Sequence, residues 1–185
     1  MNVEDYIKIY DNALSDKVCD SLVGFFENNS KDQKVNGQSA YEHLPGSQWK
    51  ELNLVNYMSE QGHQEFVDIL LKYKAIYEND AKVIPNLPYS GKLADLRIKK
   101  YEANGKDRFL AHFDAAEDMS NRYMVFLWYL NDVDVGGETV FVDLGVSVNP
   151  KKGRLLIFPP YWMYRHEGKV PVSNSKYVIN TFLLW

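Results

Sequence analysis

The sequence predicts a mainly β chain with flanking helices: a double-stranded β-helix, or jelly-roll barrel, backed by N-terminal helices. Beyond Leu93 the chain breaks into short segments rich in β-branched and aromatic residues, punctuated by Asn104-Gly105, Gly136-Gly137 and Asn149-Pro150. Before Leu93, two stretches carry apolar residues at helical spacing instead. Thirteen Tyr and four Trp favour strands and aromatic-walled pockets over a helical bundle.

Ser15 is placed to N-cap a first helix, Asp16 favours its dipole, and Val18, Leu22, Phe25 and Phe26 form its apolar face. Cys19, beside that face, reads as a small core residue. Residues 31–50 turn polar and include Gly37, Pro45 and Gly46, which predicts a long loop that serves as a lid or simply moves. A second helix is expected over 59–83 on the stripe Phe66, Ile69, Leu70, Tyr73 and Tyr77, ended by Pro85 and Pro88. Strands are expected at 93–101, 109–114, 122–130, 139–142, 154–158, 163–166 and 177–184. Gly136-Gly137 and Lys151-Lys152-Gly153 read as turns between strands, the latter not as a phosphate loop because no helix follows it. At 185 residues the simplest organisation is one domain, with helical support over about 1–90 and the barrel core over about 91–185.

Composition excludes several functions. With 45% apolar and 14% aromatic residues the chain is not disordered. A formal net charge of −4 offers no footprint for duplex nucleic acid, and Lys99-Lys100 reads as a solvated strand end. Cys19 is the only cysteine, which fits a reducing compartment. The acidic start lacks a basic leader, and no apolar run approaches the ~20 residues of a membrane span. The expectation is a soluble cytoplasmic protein, monomeric or homodimeric, without a nucleic-acid or membrane partner. Trp162 and Tyr164 read as exposed aromatics, for a dimer contact or a substrate groove.

His112 and Asp114 carry the chemistry. The His-x-Asp spacing puts an imidazole and a carboxylate on one face of a strand. His166, arriving on a distant strand, completes a 2-His-1-carboxylate set, which holds a metal on one side and leaves open positions, as suits non-haem Fe(II) and O₂. His43, in the polar stretch, and His63, near a helix start, lack this context and read as structural. Lys176 begins the last apolar run; an ammonium there suits an anionic cosubstrate, and alternation puts Lys176, Val178, Asn180 and Phe182 on one face.

Residues 96–184 resemble the prolyl 4-hydroxylase-like branch of the 2-oxoglutarate and Fe(II)-dependent dioxygenases. The resemblance lies in Tyr101-Glu102, His112-Phe113-Asp114 and the run from Arg122 through Gly136-Gly137-Glu138-Thr139. It continues in Pro150 to Arg154, in Leu155 to Phe158, and in His166-Glu167-Gly168 followed by Lys176. It implies Fe(II) bound by His112, Asp114 and His166, and 2-oxoglutarate paired to Lys176 and hydrogen-bonded by Tyr101. O₂ would be the oxidant, with ascorbate a candidate reductant. It also implies oxidative decarboxylation of 2-oxoglutarate coupled to hydroxylation of a peptidyl proline. Arg122 matches an arginine near the family's peptide substrate, or is a strand-start cation. Phe109 stands where relatives often carry Tyr and Phe182 where they often carry Trp, which alters the substrate wall. The stretch 102–108 is longer than usual, which loosens the match of Tyr101. The alternatives are a hydroxylase of a small molecule such as a free amino acid, and a barrel that binds metal without turnover. The acidic balance disfavours nucleic-acid demethylation.

Overall fold

A computed structural model of the chain describes residues 2–37, 46–83 and 85–185. Its elements, in chain order, are β1 (Lys8–Tyr10), α1 (Asp16–Asn28), β2 (Lys34–Gly37), β3 (Gln48–Asn53), α2 (Glu60–Asp80), β4 (Arg97–Tyr101), β5 (Phe109–His112) and β6 (Arg122–Tyr129). They continue with β7 (Thr139–Phe141), β8 (Val146–Val148), β9 (Leu155–Phe158), β10 (His166–Gly168) and β11 (Lys176–Leu184). The strands form two antiparallel sheets, seven strands in the order β1-β9-β6-β11-β4-β3-β2 and four in the order β5-β10-β7-β8.

Both helices start where their caps dictate: Ser15 Oγ accepts from the Val18 N–H at 3.4 Å and Ser59 Oγ from the Gly62 N–H at 3.1 Å. Their buried residues, Cys19 and Phe26 from α1 and Leu70 and Tyr77 from α2, pack on one face of the large sheet. Strand alternation sorts the rest. Met124, Phe126 and Trp128 of β6, Leu155 and Ile157 of β9, and Ile179 and Leu183 of β11 join the helices. Val125 and Tyr129, Leu156 and Phe158, and Val178 and Phe182 turn the other way and meet Phe141 and Val148 of the small sheet. The barrel interior is this second core. No described helix is long and apolar enough to cross a membrane.

Several expectations need correction. The stretch 31–50 is not one loop: β2 and β3 pair from Lys34↔Glu51 to Gly37↔Gln48 and extend the large sheet, while 38–45, including His43 and Pro45, lie outside the described residues. Edge strand β2 is too polar to display an apolar period, and in β3 the alternate buried positions are Trp49 and the charged Glu51. Strand β1, three residues long, adds the opposite edge by pairing with β9. The expected strand 163–166 is instead a 3-10 turn over Trp162–Tyr164, and β10 begins at His166. Val18 is exposed on the outer side of α1, and Tyr164 is buried, its hydroxyl donating to the Val3 carbonyl. Strand β5 ends at His112, so Asp114 stands just past it, its N–H donating to the Pro160 carbonyl at 3.0 Å.

Candidate active site

His112 on β5 and His166 on β10 are register partners in the small sheet, their rings 4.4 Å apart. Asp114 reaches between them: Oδ1 lies 3.6 Å from His112 Nε2 and Oδ2 lies 3.6 Å from His166 Nε2. One ligand atom from each residue falls within a 4.8 Å cluster. Donors sharing one ion at ~2.1 Å sit roughly 3–3.5 Å apart, so a small contraction makes this a metal site. The outer nitrogens support the same reading. His112 Nδ1 lies 2.8 Å from the Leu110 carbonyl and His166 Nδ1 lies 3.1 Å from the Tyr164 carbonyl. Each carbonyl holds the Nδ1–H tautomer and leaves Nε2 free to ligate.

The electrostatics agree. Burial alone would raise the Asp114 carboxyl, but His166, His112 and Arg122 outweigh it and hold it below the usual carboxylate range. Burial and the neighbouring His112 push His166 down to about 4, against the pull of Asp114, so its imidazole is neutral at pH 7. A carboxylate and a neutral imidazole are the forms that bind a metal. Phe109 stacks on His112, centroids 3.6 Å apart and planes at 14°, while Phe158 packs edge-on against His166. These rings fix both imidazoles and keep the site dry.

Lys176 opens β11 directly opposite Tyr101 of β4. It is 2% exposed, its Nζ donating to the Gly137 carbonyl at 2.8 Å and lying 4.6 Å from the Tyr101 ring centre. Burial pushes the ammonium down to about 7; Glu138 opposes this and Lys99 adds to it. Two glycines shape this corner, one through the turn and one against the ammonium. Gly136 has φ +79° and a Cβ there would stand 2.4 Å from the Val170 carbonyl; a Cβ on Gly168 would stand 3.4 Å from Lys176 Nζ. The Gly-Gly turn therefore aims the carbonyl that holds Lys176.

All of these groups line one cavity: His112, Asp114, His166, Lys176, Tyr101 and, as alternation requires, Asn180 and Phe182. Asn180 Oδ1 is buried there without a donor among the described residues. The cavity opens into a groove of about 770 Å³ shared by His112, Asp114, Phe109, Asn180 and Phe182, a size typical of ligand sites. Of the expected substrate residues, Phe182 lines both spaces. Arg122 lines the groove, donates to the Asp114 carbonyl at 3.1 Å and lies 3.9 Å over the Phe182 ring. Phe109 lines both spaces but is packed between His112 and Trp49, 4.4 Å away. The stretch 102–108 leaves Tyr101 in register, because Asp107, 2% exposed, ties it down by accepting from the Glu102 N–H, Asn104 and Gln48. His63 is exposed on α2, away from these groups. Lys99 corrects an expectation: far from being a solvated strand end, it lines both cavity and groove. Its place two residues before Tyr101 would have put it on the barrel face.

Comparison with known proteins points to the same chemistry. Residues 96–184 match the model of the 2OG-Fe(II) oxygenase superfamily. Over this segment, just under half of the chain, the sequence is similar to the prolyl 4-hydroxylase-like members of that superfamily. The oxygenase segment is 42% identical over 87 residues to the Arabidopsis thaliana protein named "Probable prolyl 4-hydroxylase 11", covering 43% of this chain and 29% of that one. It is 36% identical over 108 residues to the human prolyl 4-hydroxylase subunit alpha-1, covering 48% of this chain and 20% of that one. The match thus spans less than a third of either relative's length. The fold extends further than the sequence likeness. A viral collagen prolyl hydroxylase from Paramecium bursaria Chlorella virus-1, solved with 2-oxoglutarate, superposes with a TM-score of 0.67 at 21% identity, covering 96% of this chain and 94% of that one. A Trichoplax adhaerens prolyl hydroxylase, solved with a peptide fragment of the oxygen degradation domain of hypoxia inducible factor, gives 0.72 at 19% identity, covering 97% and 84%. The two facing sheets are the double-stranded β-helix of these enzymes.

Proposed function

We propose that the chain is a 2-oxoglutarate- and Fe(II)-dependent dioxygenase that hydroxylates a proline-containing peptide or protein. The observation that carries this reading is the convergence, in one cavity, of the His112–Asp114–His166 donor set with a buried ammonium that has no carboxylate within ion-pair distance among the described residues. His112, Asp114 and His166 would hold the iron, which supplies dioxygen activation when bound. Lys176 would take the distal carboxylate of 2-oxoglutarate, with the Tyr101 hydroxyl as a second donor. Phe109, Phe158 and Phe141 pack against the two histidines and would shield the metal from water. Arg122, Phe182 and Phe109 form the boundary between cavity and groove, where the target side chain would enter.

Support for a peptide comes from the prolyl hydroxylases the chain resembles, one of them solved with a peptide fragment. We read residues 1–185 as a single unit in which the helices back the barrel. The one cysteine, buried and free, suits a reducing, cytoplasmic setting.

Anaerobic titration with Fe(II) and 2-oxoglutarate tests this reading through the visible metal-to-ligand charge-transfer absorption. A band that needs both additions and is lost in His112→Ala is expected. Folded protein that binds Fe(II) yet develops no band would leave a metal-binding barrel without this cosubstrate. Succinate release in air with proline-rich peptides, compared with free proline, separates peptide from small-molecule turnover.

A further inference from the structure

Four cations line the groove outside the metal cavity: Arg97, Lys99, Arg122 and Arg165. Three have visible employment. Arg97 is held by Glu51 and Asp95, Arg165 by Asp143, and Arg122 by the Asp114 carbonyl and the Phe182 ring. Lys99 differs, since among the described residues no carboxylate lies within 4.0 Å of its Nζ. Its cross-strand neighbour Glu51 is already bound by Arg97 and by the Trp49 indole N–H at 2.8 Å. The ammonium of Lys99 instead rests 5.0 Å from the Trp49 ring and 5.5 Å from the Phe109 ring. Two ring faces orient a cation without neutralising it.

Position gives this charge a use. Tyr101 lines the cavity, Arg97 lines the groove, and Lys99, between them on β4, lines both. It stands one same-face step, ~7 Å along the strand, from Tyr101, on the side from which a substrate enters. The charged side chains lining the cavity, histidines aside, are Asp114, Lys176 and Lys99. With neutral histidines, the formal charges of Fe(II), Asp114, a 2-oxoglutarate dianion and Lys176 cancel. Lys99, half-buried at the mouth of the site and acted on by Glu51 and Asp114 only from beyond ion-pair distance, then adds one positive charge there that a ligand carboxylate could meet directly.

We infer that Lys99 reads the substrate: the molecule hydroxylated here carries a carboxylate close to the reacting carbon, and Lys99 receives it. This rests on the oxygenase reading above and narrows it. The carboxylate can come from an acidic residue beside the target residue of a peptide, or from the α-carboxylate of a free amino acid.

Calorimetry under anaerobic conditions, with Fe(II) and 2-oxoglutarate present, tests it. The probes are acetylated, amidated peptides with Glu or Gln on either side of a central proline, together with free proline and prolinamide. A charge-assisted contact at a partly desolvated site predicts that one acidic probe binds wild type on the order of tenfold to a hundredfold tighter than its amide partner. Lys99→Arg should retain that preference and Lys99→Met, which keeps the stem between the two rings, should abolish it. Preference for a Glu peptide assigns the source to a side chain, and preference for proline over prolinamide assigns it to the α-carboxylate. Acid and amide probes that bind wild type alike, including binding of neither, overturn the inference, as does a preference that survives Lys99→Met. Succinate release on admitting air is read separately. A Lys99-dependent acid preference without succinate would sink the dioxygenase reading and keep the carboxylate contact; succinate without that preference would do the reverse.

Discussion

The seven-stranded sheet has two faces built from the same strands, and they answer to different demands. On the helix face, β6 contributes Met124, Phe126 and Trp128, all buried against residues such as Phe26 and Leu70. These β6 side chains are apolar in bulk and contribute packing, and the lysines on that side, Lys100 of β4 and Lys74 of α2, are each met by a carboxylate. On the barrel face, β11 and β4 contribute Lys176, Asn180, Tyr101 and Lys99 beside Val178 and Phe182. That face buries an ammonium and, among the described residues, leaves the Asn180 amide oxygen without a donor, where the helix face leaves the Trp128 indole N–H without an acceptor; such arrangements cost stability unless a ligand answers them. Because successive residues of one strand serve opposite faces, stability and chemistry can be separated by substitutions one residue apart.

The largest separation is expected from Phe126→Ala, on the helix face. Removing a fully buried ring there should cost about 3–5 kcal/mol of folding stability, measured by urea unfolding. Below the transition the Fe(II)–2-oxoglutarate absorption should keep its full amplitude. Loss of the band in folded Phe126→Ala protein would show that the two faces are coupled. Asp114→Asn is the converse. It keeps shape but removes the anion facing both imidazoles, so Fe(II) affinity should fall at least about a hundredfold, more than the 10–100-fold typical of residues that only support a ligand. Its unfolding midpoint should move little. An Fe(II) affinity near wild type would exclude Asp114 from the ligand set.

Lys176→Ala sharpens the comparison within the barrel face. Loss of a charged hydrogen-bond partner is worth about 1.5–3 kcal/mol, so the 2-oxoglutarate requirement should rise roughly tenfold to a hundredfold while Fe(II) still binds. Unchanged cosubstrate dependence in steady-state succinate assays would move the carboxylate site elsewhere, with Lys99 the next ammonium in line.

How much of this was legible in the sequence follows from how each signal is encoded. The convergence of His112, Asp114, His166 and Lys176 on one cavity was legible because few residue types suit a metal or a carboxylate, and their spacing was distinctive. The two helices were legible through Ser15, Ser59 and a long apolar stripe. Strand β2 was not, since an edge strand such as Lys34-Val35-Asn36-Gly37 is half solvated and carries no buried period, and β3 was not because one of its alternate buried positions is the charged Glu51. Lys99 was hidden for a different reason. A Lys-Lys pair has one residue on each face of a strand, and here Lys100 turns out to pair with Glu27 while Lys99 turns in over Trp49. Only the pairing of β3 with β4, between segments far apart in sequence, brings that indole under it.

The smallest effect expected is also the most diagnostic of the buried ammonium. Burial pushes Lys176 down to about 7, whereas a lysine in the unfolded chain titrates near 10.4. Between those values the unfolded chain holds one more proton than the folded one, so the ligand-free fold gains stability as pH rises through this window. Cosubstrate binding runs the other way. A neutral amine must take up a proton before it can pair with a carboxylate, so above pH 7 the affinity for 2-oxoglutarate should fall about tenfold per pH unit. Affinity and stability should therefore diverge between pH 7 and 9, measured by anaerobic titration and urea unfolding on the same samples. In Lys176→Arg, whose guanidinium stays charged, the pH dependence of affinity should flatten. An affinity for 2-oxoglutarate that stays level across that range in the wild type would mean that Lys176 is not its partner.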